Sequence, residues 1–81
     1  MEVQFTEKVF IESFVKDLMD KAAYFNEPDF SLKYIDDEIK PMLYIVELLY
    51  LHSFILEKGY YQCKIVLEET IHKGKKVLET K

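Results

Sequence analysis

Residues 42–56 read MLYIVELLYLHSFIL, and only Glu47, His52 and Ser53 interrupt fifteen positions that are otherwise aliphatic, aromatic or Met. A helix that is apolar on every side must be covered on every side, because each large apolar side chain gains about 1.5–3 kcal/mol on leaving water. A chain of 81 residues has little left over to do the covering. Domains this small are marginal on one core, and they draw support from a disulfide, a metal or an oligomer contact. Cys63 is the only cysteine, which rules out, within one chain, both a disulfide and a metal site built on paired thiolates. Self-association is the support that remains.

The same stretch is too short for a membrane span, which needs roughly 18–20 apolar residues, and Glu47 sits near its middle. The opening MEVQFTEKVF carries acids and lacks the basic and long apolar regions of a secretion signal, so a cytoplasmic protein is expected. Hydrophobic residues make up 49% of the chain, with only two Gly and two Pro, a balance that folds rather than stays disordered.

Charge narrows the partners. Every basic residue is Lys, so the planar fork with which Arg grips phosphates and guanine edges is missing; direct nucleic-acid binding is not expected. An AT-rich coding sequence is a better account of Lys without Arg than functional avoidance, and it weakens that exclusion without reversing it. Residues 1–57 hold twelve acids and five Lys, a balance of −7, whereas residues 58–81 hold six Lys and three acids, a balance of +3. The simplest account is an acidic solvated body with a basic helical tail, although such a dipole also favours antiparallel self-association.

Periodicity predicts an all-α chain: a small antiparallel three-helix bundle, one domain over 1–81, with long helices near 6–25, 38–58 and 60–79 and a short helical turn at 29–37. Phe10, Ile11, Phe14, Val15, Leu18, Ala22 and Phe25 recur at steps of three and four and share one sector of the first helix. Thr6 is its expected N-cap; Glu12 with Lys16 and Asp17 with Lys21 are expected ion pairs, and Pro28 holds Glu27 out of helical geometry. Pro41 belongs in a first turn, which sets the second helix near Glu38. Gly59 reads as its stop, and a third helix follows with Cys63, Val66, Leu67, Thr70, Ile71, Gly74, Val77 and Leu78 as its stripe. A β-hairpin about Gly74 is the rival, weakened by the clean helical period.

The central helix has more than one apolar sector. Met42, Leu43, Val46, Leu49, Tyr50 and Phe54 form a face that the other two helices can cover. Tyr44, Leu48, Leu51 and Ile55 lie opposite, with Ile45 and Leu56 along one edge, and a second copy of the chain is the most economical cover for them. The alternative is that residues 29–39 fold over this second face. Tyr61 and Ile65, on the outer side of the third helix beside Glu68 and His72, form another candidate contact.

Catalytic constellations are weak. Glu69-Thr70-Ile71-His72 matches the E-x-x-H ligand pair of di-iron bundles, and Glu47 falls near the height of Ile71, but Glu69 and His72 point away from the apolar stripe. Glu47 reads as a boundary carboxylate, His52 as an interface or boundary histidine, and Cys63 as a buried hydrophobe. No serine stands in a nucleophile elbow, no phosphate-cradling loop can be written, and the cluster HKGKK at 72–76 is a modest basic patch. The stretch LEKGYYQCKIVLEETI sets aromatics beside a Gly as a tetratricopeptide repeat does. Gln62 stands where that motif has its aromatic and no second copy occurs, so no family's residues are carried over.

The expected function is therefore a non-enzymatic helical interaction protein, an adaptor or regulator, without cofactor or metal. Its expected partners are itself, as a homodimer or higher oligomer, and another protein. The contact residues are Tyr44, Leu48, Leu51, His52, Ile55, Tyr61 and Ile65. Two alternatives stand beside it: an acidic inhibitor occupying a basic site on a nucleic-acid-handling enzyme, and a protein holding a small ligand between subunits.

Overall fold

The computed structural model describes residues 6–80, most of which are helical, with no strand among them. Helix α1 covers Glu7–Ala22 and tightens into a 3₁₀ turn at Ala23–Asn26. Thr6 caps it as expected: its backbone is extended and its hydroxyl accepts the Val9 N–H at 3.3 Å. Glu27 leaves helical geometry before Pro28 (ψ 147), again as the sequence requires.

The next segment is helical as well. A single turn, α2 (Leu32–Tyr34), opens into a wide π turn over Ile35–Ile39, where the Lys40 N–H reaches back to the Ile35 carbonyl at 2.9 Å. The widening precedes Pro41, which has no N–H to give and whose ring crowds the carbonyl four residues back. Helix α3 therefore starts at Met42 rather than near Glu38.

Helix α3 also ends early, at Leu51 rather than Lys58. Ser53 takes a left-handed backbone (φ 63), its N–H bonds to the Tyr50 carbonyl at 3.1 Å, and the Phe54 N–H bonds to the Leu49 carbonyl at 2.9 Å. These are the two bonds of a Schellman stop, built on Ser where Gly is usual. Helix α4 then runs from Glu57 to Glu79, straight through Gly59 and Gly74.

Both glycines lie buried where neighbours come too close for a side chain. At Gly59 the Glu7 carboxylate fills the place of a β-carbon, and at Gly74 such a carbon would stand 2.9 Å from Phe25 Cζ and 3.0 Å from Ile35 Cδ1. Gly59 is thus a site of close approach and not a helix stop. The same Glu7 carboxylate accepts the Leu56 N–H at 3.3 Å, serving the start of α4, where the Leu56 side chain offers no capping oxygen.

Helix α4 is the spine, with α1 packed along one side of it and α3 along the other. Residues 30–39 wedge into the centre, where Ile35 and Ile39 are completely enclosed. Around them close Phe14, Leu18, Phe25, Phe30, Met42, Val46, Ile55, Cys63 and Leu67. Residues 30–39 thus complete the core and do not fold over the second face of α3. Lys21 pairs with Glu38 at 3.3 Å, tying α1 to this wedge instead of pairing with Asp17; the Glu12–Lys16 pair is likewise not made, and Lys40 pairs with Asp36 at 2.9 Å. The Tyr34 hydroxyl donates to the Lys21 carbonyl at 2.9 Å, and Tyr24 stacks on Tyr34 with ring centres 4.4 Å apart.

Candidate interaction face on the α3–α4 hairpin

Helices α3 and α4 are antiparallel neighbours joined by the turn at 52–56, and the stacked rings of Tyr50 and Tyr60, 4.6 Å between centres, set their register. Moving away from the turn, the two helices part into a cleft of about 390 Å³. Leu43, Leu67 and Ile71 line it with apolar surface, and Lys40, Tyr44, Glu47, Lys64 and Glu68 complete its lining.

On α3 the residues Tyr44, Leu48 and Leu51 are exposed, at 70%, 54% and 75% of their full surface. With Glu47 they follow the spacing i, i+3, i+4, i+7, which places them in one stripe. Tyr61, Lys64, Ile65 and Glu68 repeat that spacing on α4, with Tyr61 and Ile65 about half exposed. Each stripe shares residues with the cleft: Tyr44 and Glu47 on one side, Lys64 and Glu68 on the other. The second face of the central helix and the Tyr61–Ile65 contact, read from the sequence as separate surfaces, are therefore one continuous face of the hairpin.

The structure removes one member of the expected set. Ile55 is only 2% exposed and belongs to the core. Extending α3 as a helix to Lys58 had put Phe54 inside and Ile55 outside; the stop at Ser53 reverses the chain and exchanges them, leaving Phe54 and Leu56 exposed. His52 lies at the helix end, exposed, with its N–H on the Leu48 carbonyl at 3.0 Å. Ile45 is exposed too, on the flank of α3 away from the cleft.

Electrostatically the face is balanced. Lys40 is engaged by Asp36, whereas Glu47, Lys64 and Glu68 make no ion pair among the described residues. Lys64 Nζ stands 5.9 Å from the centre of the Tyr60 ring, whose edge meets Tyr61. A row of tyrosines, 50, 60 and 61, thus bridges the two helices near the turn, with an ammonium group beside it.

The candidate chemical groups lie elsewhere. Glu69 and His72 are exposed on α4, and no three His, Cys, Asp or Glu side chains among the described residues converge to hold a metal ion. Cys63 is buried, and burial, with a smaller contribution from Glu7, pushes its thiol up to about 11. A neutral, enclosed thiol is a poor nucleophile. Tyr24 donates a hydrogen bond to the Asp29 carboxylate, which pushes its hydroxyl up to about 12. No helix among the described residues is long and apolar enough to cross a membrane.

The sequence reading missed the cleft and its charged rim. The signal was present in the matched spacing of 44–51 and 61–68, but it becomes a single surface only once the register of the hairpin is known. No family model, curated protein or solved structure matches the chain.

Proposed function

We propose that the chain is a non-enzymatic helical interaction protein, a small adaptor or regulator that works in self-associated form through the α3–α4 face. The observation that carries this reading is the line of exposed Tyr44, Leu48 and Leu51 on a helix whose opposite side is already in the core. Burial of each would gain about 1.5–3 kcal/mol, and apolar side chains in contiguous array on a small domain are a usual mark of an association surface. A second protein would then be engaged by surface that the assembly leaves open. A cytoplasmic location goes with this reading, since an unpaired thiol such as Cys63 is the rule in reducing compartments.

The deciding experiment is native mass by light scattering over a wide concentration range, for the wild type and for Leu48→Glu. A wild-type dimer or larger assembly, with a monomeric and normally helical Leu48→Glu, is the expected result. A wild type that stays monomeric at every concentration overturns the self-association.

One observation favours a second reading, a small-ligand protein. The α3–α4 cleft joins an apolar floor to a rim of two ammonium groups, two carboxylates and a tyrosine, a combination suited to a largely apolar molecule with polar ends. Native mass spectrometry of the freshly purified protein checks it: a co-purifying small molecule supports ligand binding, and a bare chain mass counts against it.

A further inference from the structure

We infer that the partner on this face is a second copy of the chain, docked about a two-fold axis that runs along the α3–α4 cleft, so that Glu47 of each copy meets Lys64 of the other. The inference rests on the self-association proposed above and specifies its geometry. Its first support is charge complementarity. In a face-to-face dimer a two-fold axis lies in the plane of contact, and one directed along the cleft lays α3 of each copy over α4 of its mate. Whatever stands on one wall then meets whatever stands at the same height on the other wall.

Those heights follow from the Tyr50–Tyr60 stack. At a rise of about 1.5 Å per residue, Glu47 lies about 4.5 Å and Lys64 about 6 Å from that level, in the same direction. Leu48 and Tyr61 lie about 3 Å and 1.5 Å from it, and Tyr44 and Ile65 about 9 Å and 7.5 Å. Three pairs therefore match within about one residue's rise: carboxylate with ammonium, and two apolar with apolar. Glu47 and Lys64 are both without an ion pair in the single chain, so no ion pair is broken to form the contact, and only the long approach of Lys64 to the Tyr60 ring is exchanged for it.

Direction supports the same arrangement. The axis preserves helix direction, so α3 of one copy lies antiparallel to α4 of the other, just as it lies antiparallel to its own α4. Four helices with every neighbour antiparallel is the common bundle geometry. A two-fold axis that crosses the cleft at the level of these residues instead lays α3 over α3 and α4 over α4, bringing Glu47 towards Glu47 and Lys64 towards Lys64, which like-charge repulsion disfavours.

A charge exchange tests the pairing. In Glu47→Lys alone, lysines face each other twice across the axis; in Lys64→Glu alone, carboxylates do. Each variant is expected to self-associate at least about tenfold more weakly than the wild type. Mixing the two variants in equal amounts is expected to restore the dimer, now as a heterodimer, because each opposed pair again carries opposite signs. The mixture separates this from any effect inside one chain, since repulsion across each chain's own cleft persists after mixing. Carrying both changes in one chain, Glu47→Lys with Lys64→Glu, should restore self-association as well and guards against a folding defect in either single variant. A dimeric wild type whose single variants dimerise normally, or whose mixture gains nothing, overturns the axis while leaving the α3–α4 face open to another geometry, to be judged by Leu48→Glu. A monomeric wild type overturns both.

Discussion

The Glu7 carboxylate occupies the space that a side chain on Gly59 would fill, and from there it accepts the Leu56 N–H at 3.3 Å. One acidic residue at the start of α1 thereby caps the start of α4. Removing the carboxylate in Glu7→Ala should cost about 0.5–1 kcal/mol, the usual value of a lost cap. Gly59→Ala should be near neutral, within about 1 kcal/mol, because the displaced group is the free end of a flexible side chain and alanine favours the helix by a similar amount. The informative result is the double variant in urea unfolding: once Gly59→Ala has pushed the carboxylate away, Glu7→Ala should cost almost nothing more.

Gly74 should behave differently. A methyl group there meets the Phe25 ring and the Ile35 side chain, both held in the core. Neither can swing into solvent, so Gly74→Ala should destabilise by about 1–3 kcal/mol despite its better helix propensity, as overpacking does. Thermal and urea unfolding of the two glycine variants side by side is the check.

Ser53 is the non-glycine residue with positive φ among those described. Glycine takes this conformation without the clash that a β-carbon suffers, so Ser53→Gly should raise stability by about 0.5–1 kcal/mol. An unchanged or lower unfolding midpoint would show that the Schellman stop does not strain this turn.

Alkali should act through Cys63. Its thiol is pushed from an ordinary value near 9 to about 11 in the folded chain, so between those values the unfolded chain releases a proton that the folded chain keeps. Stability must therefore fall as pH rises through that window, and be unaffected by this group below it. The Tyr24 hydroxyl, held up to about 12, adds a second decline at higher pH. Cys63→Ala should flatten the stability profile between about pH 9 and 10 and make it shallower from there to about 11, where the Tyr24 decline has already begun. At neutral pH a thiol reagent should modify native Cys63 far more slowly than the unfolded protein.

Two residues of the apolar run should give opposite phenotypes. Leu48→Glu puts a carboxylate on an exposed stripe and should leave helicity and melting nearly unchanged while abolishing self-association. Ile55→Glu buries an unpaired charge in the core and should unfold the chain. Circular dichroism with light scattering on both variants distinguishes a surface effect from a core effect.

Much of this architecture is legible from residue order. The period of Phe10, Phe14 and Leu18 marks α1, Thr6 its cap and Pro28 the break after it, because these depend on side-chain spacing and on backbone sterics within a few residues. The presence of a two-sided apolar helix is equally local, and so is the spacing of the stripes 44–51 and 61–68. Tertiary contacts decided the rest. Gly59 resembles a helix stop until Glu7, far away in sequence, is seen filling the space beside it, and Ser53 makes the true stop with no glycine to announce it. That shift of the turn sends Ile55 inward and Phe54 outward. The wedge at 30–39 enters the core because Ile35 and Ile39 fit between α1, α3 and α4, a fit that no short window contains. Two apolar stripes become one face for the same reason: the local sequence determines which residues line up on a helix, but only the packing of the helices determines which lines meet.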